Sequence, residues 1–83
     1  MSTVSVAQPT ERQPISRDQA LQIARSDASR VYRDLSGYRV GIRLEKDRWH
    51  IDYELADPEV QGGGPHYVID LESGRILAKR YEQ

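Results

Sequence analysis

Apolar residues recur along this chain at two different rhythms. Between Ile15 and Gly37 they return every three or four positions, at Ala20, Leu21, Ala24, Ala28, Val31, Tyr32 and Leu35. That spacing draws one stripe down a helix. Ser16 is placed to cap the first turn, and Gln19 three residues later completes a reciprocal capping box. Ile15 stands at the staple position opposite Ala20, and Gly37 is the expected stop. Three alanines in the stripe imply close approach to whatever lies beneath. Arg25, Asp27, Arg30 and Asp34 fall on the opposite face and are expected to meet water.

From Tyr38 the rhythm becomes two. "YRVGIRLE" alternates Tyr38, Val40, Ile42 and Leu44 with polar residues or glycine, and "RWHIDYEL" does the same with Trp49, Ile51, Tyr53 and Leu55. If Lys46 and Asp47 form the loop, Glu45 faces Arg48. Leu44 then meets Trp49, Ile42 meets Ile51, Val40 meets Tyr53 and Tyr38 meets Leu55, all on one face. Arg43 meets His50 and Arg39 meets Glu54 on the other. A slip of one residue would set an apolar side chain against a polar one in every pair, so the register is strongly specified. Lys-Asp is a poor two-residue turn, and a wider loop of the same parity is the alternative.

A nine-residue connection, "ADPEVQGGG", leads to a second hairpin: a strand near His66–Leu71, a turn at Glu72-Ser73-Gly74 with Gly74 in the left-handed region, and a strand near Arg75–Tyr81. Alternation is weaker here. Tyr67, Ile69 and Leu71 share one face, while Ile76, Ala78 and Arg80 share another. The order helix, hairpin, loop, hairpin predicts an α+β fold (α-ββ-ββ), with one N-terminal helix packed on a four-stranded antiparallel sheet. Residues 1–14 are polar, without periodicity, and read as a disordered tail before a single domain spanning 15–83.

Composition narrows the chemistry. The 83 residues include no cysteine, which removes disulfides and thiolate metal sites. No apolar run approaches the ~20 residues of a membrane span. No secretory signal is visible, so the expected location is the cytoplasm, or the periplasm if a signal has been removed. Net charge is −1, unevenly spread: Glu45–Glu72 holds eight acids against two bases, and Arg17–Arg43 six arginines against three acids.

The stretch "VQGGGPHYVID" raises the question of a phosphate cradle. Such a loop leads into a helix N-terminus, and this one leads into a strand. Gly62, Gly63 and Gly64 are therefore expected to serve as a joint between hairpins, through a bulge, a positive φ or close approach of another backbone, with contact to a partner as the other role. His50, Asp52 and His66 form a weak two-histidine, one-carboxylate metal candidate. No serine stands beside an identifiable base, and a single thin layer offers little concavity in which to shift a carboxyl group. No catalytic residue and no cofactor are expected. The arginines are interspersed with acids, and Tyr38, Trp49 and Tyr53 lie on the core side, which argues against nucleic acid. What remains is a protein partner, suited to a basic surface, meeting Asp52, Glu54, Asp57, Glu59, Gly62, Gly63, Gly64 and His66. An uncovered sheet edge also offers self-pairing into a homodimer.

Two family resemblances bear on this. "ISRDQALQIARSDA", "RWHIDYEL" and "YVIDLESGRIL" resemble the helix, middle strand and terminal hairpin of PepSY-type domains. "GGGPHYVIDLESGRIL" is similar to small NTF2-fold immunity proteins of bacterial polymorphic toxin systems, with Trp49, Gly62, Gly63, Ile69, Gly74 and Ile76 in the corresponding order. Together they cover about residues 15–81. The resemblance implies a bacterial, non-enzymatic binder that inhibits or neutralises its partner, as toxin immunity or protease inhibition. It supplies no catalytic residues.

Overall fold

The computed structural model describes residues 13–57, 59 and 63–82. One helix, α1 (Arg17–Val31), is followed by four strands, β1 (Tyr38–Glu45), β2 (Arg48–Leu55), β3 (His66–Asp70) and β4 (Ile76–Arg80). The strands form one antiparallel sheet in the order β1-β2-β3-β4, with α1 against one face. The expected α+β architecture is therefore present. Of the expected tail, only Gln13 and Pro14 fall among the described residues, as exposed, irregular chain.

The helix begins where its capping chemistry places it. Gln19 N–H donates to Ser16 Oγ at 3.1 Å, and Ser16 N–H donates to Gln19 Oε1 at 2.8 Å, which satisfies two donors that the first turn would otherwise leave unpaired. Ile15, just before the cap, is pinned to the sheet at both ends of its backbone. Its N–H donates to the Leu71 carbonyl at 2.8 Å, and its own carbonyl accepts the Trp49 indole N–H at 3.2 Å. The angle at which α1 crosses the sheet is thus set at its entry.

Ala20, Ala24 and Ala28 are fully buried against Ile51, Tyr53, Tyr67 and Ile69. A four-residue step keeps these alanines on one line, and their small side chains let the helix backbone approach the sheet. Large residues on the strands fill the layer that the alanines leave.

The helix ends at Val31, earlier than Gly37. Tyr32 is already extended (φ −109°, ψ 128°), and its N–H caps the Ala28 carbonyl. Val31 and Tyr32, one β-branched and one aromatic, are poor helix formers. Two residues on, the Asp34 carboxylate takes the Ser36 N–H at 2.9 Å, a local turn that competes with helical bonding. Val31 consequently lies outside the core, 51% exposed. Tyr32 packs edge-on to Tyr38 with ring centres 5.9 Å apart, and Tyr38 packs likewise on Tyr53 at 6.4 Å.

Every pair expected in the first hairpin is present, from Glu45 opposite Arg48 to Tyr38 opposite Leu55. The loop is the tight one. Lys46 (φ 53°) and Asp47 (φ 62°) both occupy the left-handed region, as a hairpin turn matched to strand twist requires. Neither residue prefers it. The Asp47 carbonyl is held by the Leu71 N–H at 3.1 Å, which ties the turn to the far hairpin. Replacing Lys46-Asp47 by Asn-Gly should raise stability by about 1 kcal/mol, since both residues tolerate positive φ. Urea denaturation of the two proteins checks this.

The second hairpin departs from simple alternation. β3 pairs Val68 with Ala78 but Ile69 with Ile76, leaving Leu77 as an extra residue on β4. This bulge reverses the facing of β4 partway along. Ile76 packs on the helix side, whereas Ala78, opposite Val68, faces away, so Ile76, Ala78 and Arg80 do not share one face. Gly74 has φ 76°, as the turn expected there requires. Around it, Ser73 N–H donates to Asp70 Oδ2 at 2.8 Å and Gly74 N–H to the Asp70 carbonyl at 3.0 Å.

Candidate functional site

α1 covers one face of the sheet, and among the described residues no helix or strand lies across the other. By the pairing register, the open face carries Arg39, Gly41, Arg43 and Glu45 from β1, and His50, Asp52 and Glu54 from β2. β3 adds His66 and Val68, and β4 adds Ala78 and Arg80. Pairing of Asp52 with His66 across β2 and β3 fixes what the sequence left open, namely which histidine meets the aspartate.

His66 Nδ1 lies 2.6 Å from Asp52 Oδ1, so the Nδ1–H donates to the carboxylate and orients the ring. The other ring nitrogen, Nε2, faces Glu82 Oε2 at 3.2 Å, but off the line a hydrogen bond needs, so the atom is buried without an aligned partner. Asp52 Oδ2 also accepts from Arg43 Nη1 at 3.4 Å, and Glu82 Oε2 is 3.0 Å from Arg80 Nη2. The result is a chain of alternating groups, Arg43, Asp52, His66, Glu82 and Arg80, running across the sheet. Each pair is partly solvent-exposed and individually contributes little to stability. Together they hold charged side chains in fixed positions on the face opposite α1.

His50 lines the same depression, yet its Nε2 sits 3.8 Å from Glu45 Oε1, towards the turn. Asp52 and His66 are brought together and His50 stands apart from their contact. Among the described residues, no three metal-ligating groups cluster. The depression over His50, Asp52, His66, Val68, Ala78 and Arg80 holds about 220 Å³, smaller than the roughly 300–1,000 Å³ usual for small-molecule sites. A second groove of about 470 Å³, between the start of α1 and the β3–β4 turn, is lined largely by Ile15, Gln19, Ile23 and Gly74.

The remaining expected contact residues divide. Glu54 is exposed opposite Arg39. Asp57 and Glu59 are exposed on the connection between hairpins, where Asp57 Oδ1 accepts the Glu59 N–H at 2.9 Å. Gly62 lies outside the described residues. Gly63 rests against the Glu82 side chain. Gly64 is buried: its N–H donates to the Tyr53 carbonyl at 3.2 Å, and Tyr53 N–H donates to the Pro65 carbonyl at 3.0 Å. Of the uses weighed for the glycines, Gly64 serves close approach of two backbones.

No protein-family model matches this chain, nor does any curated protein or solved structure. The surface itself must carry the functional reading.

The largest correction lies on the helix-covered side. Asp27, expected on the water-facing side of α1, turns toward the sheet, with only 11% of its side chain exposed. Tyr67 donates to Asp27 Oδ2 at 2.9 Å, Tyr81 donates to the same oxygen, and Lys79 Nζ reaches Oδ1 at 3.1 Å. Burial alone would raise this carboxyl group. The bonds from Tyr81, Lys79 and Tyr67 outweigh it and hold Asp27 below the ordinary aspartate range. Burial, reinforced by the bond to Asp27, pushes the Tyr67 phenol well above its usual value. Asp27 lies seven residues after Ala20, two turns along, and therefore nearly below the same line. That spacing was the available signal.

Among the described residues, no helix is long and apolar enough to cross a membrane.

Proposed function

We propose that this protein is a small non-enzymatic binding module that inhibits or neutralises a protein partner by covering it, in the manner of toxin immunity or protease inhibition. The observation that carries this reading is the sheet face opposite α1, where Asp52, His66 and their neighbours are held by one another and, among the described residues, no helix or strand lies over them. Its relief is shallow, which suits a protein surface better than a small substrate. Glu54, Asp57 and Glu59 extend the face with exposed acids and favour a basic partner. The sequence resemblance to PepSY-type domains and to immunity proteins of toxin systems points the same way.

The test is capture of partners from the native host by the tagged protein, with an Asp57→Lys/Glu59→Lys variant as control. A protein captured by the parent and lost with the variant is the expected result. The variant's thermal midpoint should stay within about 2 °C of the parent's, because surface substitutions of this kind change stability little. Equal capture by both proteins would overturn the assignment of this surface.

A further inference from the structure

Among the described residues the sheet has two free edges, β1 and β4, and they differ. β4 is five residues long, carries the bulge at Leu77 and brings Lys79 and Arg80 to its rim, all features that blunt an edge. β1 runs eight residues with unbroken pairing to β2. In a two-residue hairpin the residues flanking the turn exchange both backbone bonds, and bonded pairs then alternate along the ladder. Glu45, Arg43, Gly41 and Arg39 therefore bond to β2, and the backbone groups of Val40, Ile42 and Leu44 point outward. No other described strand lies beside them. On the helix side, Val40 is 42% and Leu44 50% exposed, because the core beneath α1 is drawn from β2 and β3.

We propose that β1 pairs with β1 of a second copy, antiparallel about a two-fold axis at Ile42, to give one continuous eight-stranded sheet. The inference stands apart from the partner reading above, since it uses the edge and not the open face. Its register follows from the residues. Ile42 lies opposite Ile42 of the second copy and Val40 opposite Leu44, all on the helix side. On the open side, Arg39 lies opposite Glu45 and Gly41 opposite Arg43. Among the described residues, nothing occupies the space within 4 Å of where a Gly41 side chain would begin, which leaves room for the opposing arginine. A shift of one residue would set the apolar face of one copy against the polar face of the other. The neighbouring registers of correct parity place Arg39 against Arg43, or Arg43 against its own copy, both repulsive. Of these three registers, only the one centred on Ile42 satisfies the apolar pairs and the charges together, and its contact is self-complementary as a two-fold interface must be.

Sedimentation equilibrium from micromolar to millimolar concentration tests this. The average mass should rise from the 9.5 kDa monomer toward twice that value. Val40→Lys and Leu44→Lys should each weaken the dimer at least about tenfold, while Leu77→Lys, equally exposed on the opposite edge at 47%, should leave it unchanged. Arg39→Glu and Glu45→Arg should each weaken it, and the double exchange should restore it. Circular dichroism confirms that each variant is folded. A monomer at millimolar concentration would overturn the proposal. So would a dimer indifferent to the β1 lysines, or one that the double charge exchange fails to restore.

Discussion

Gly64→Ala is expected to cost about 3 kcal/mol, a large share of the roughly 3–10 kcal/mol that a domain of this size commands. A Cβ at this position would lie 2.9 Å from Tyr38 Cε1, from Tyr53 Cβ and from the Tyr53 carbonyl oxygen. The Tyr38 ring can swing aside. Tyr53 cannot, because it is buried in the core and its backbone is bonded to Gly64 and Pro65. Relief therefore requires β2 and the start of β3 to separate, which breaks those two hydrogen bonds. Gly41→Ala is the matched control, with nothing near the added methyl group, and should fall within about 0.5 kcal/mol of the parent. Urea denaturation of the three proteins separates the readings: if Gly64→Ala unfolds with the parent's midpoint, close backbone packing at this joint is not what glycine provides.

Asp27→Ala should lower stability by about 2–3 kcal/mol. It removes the acceptor for two phenols and an ammonium group, and leaves the buried Tyr67 hydroxyl without a partner. The pH dependence provides a second signature. The native carboxyl group titrates below its unfolded value of about 3.9, so the unfolded chain binds the proton first as pH falls. Asp27's contribution is complete above that unfolded value and disappears as pH drops through the lower native one. The Tyr67 and Lys79 groups are raised, so their contributions are complete below their unfolded values near 10 and fade as pH climbs through the native ones. Stability of the parent should thus fall at both extremes. In Asp27→Asn the acid limb should flatten and the alkaline limb should weaken, because the carboxylate that helped raise both groups is gone. Thermal midpoints measured from pH 2.5 to pH 11 would show this, and a variant with an unchanged acid limb would remove Asp27 from the account.

The first hairpin was legible because its two runs alternate without interruption, and strict period two leaves a single register that buries Ile51 and Tyr53. The start of the helix was legible because Ser16 and Gln19 satisfy each other locally. Its end was not, since Asp34 supplies a turn that competes with helix and Tyr32 gains more by joining Tyr38. β4 misled because one extra residue, Leu77, inverts the facing of those before it, and a bulge has no local composition that announces it. Asp27 was hidden for a different reason. An acidic residue on a helix is ordinarily read as solvated, and only the arrival of Tyr67, Lys79 and Tyr81 from distant strands makes its burial tolerable. The open face was visible as alternating polar positions. Which of them meet depended on β2 lying beside β3, and nothing local in the chain encodes that adjacency.

The Asp27 contact also sets an order of events. Its donors Lys79 and Tyr81 lie 52 and 54 residues further along the chain. During synthesis α1 and the first hairpin emerge early, both built from local contacts that form readily. Until the last strand follows, the carboxylate on the inner side of the helix has the Tyr67 hydroxyl of β3 but no cation to meet it, so docking of α1 would bury a charge only partly compensated. Docking of α1 is therefore expected to be weaker until Lys79 and Tyr81 are in place. The last strand adds no residue to the buried core, yet it brings most of the polar support that lets the core close around Asp27.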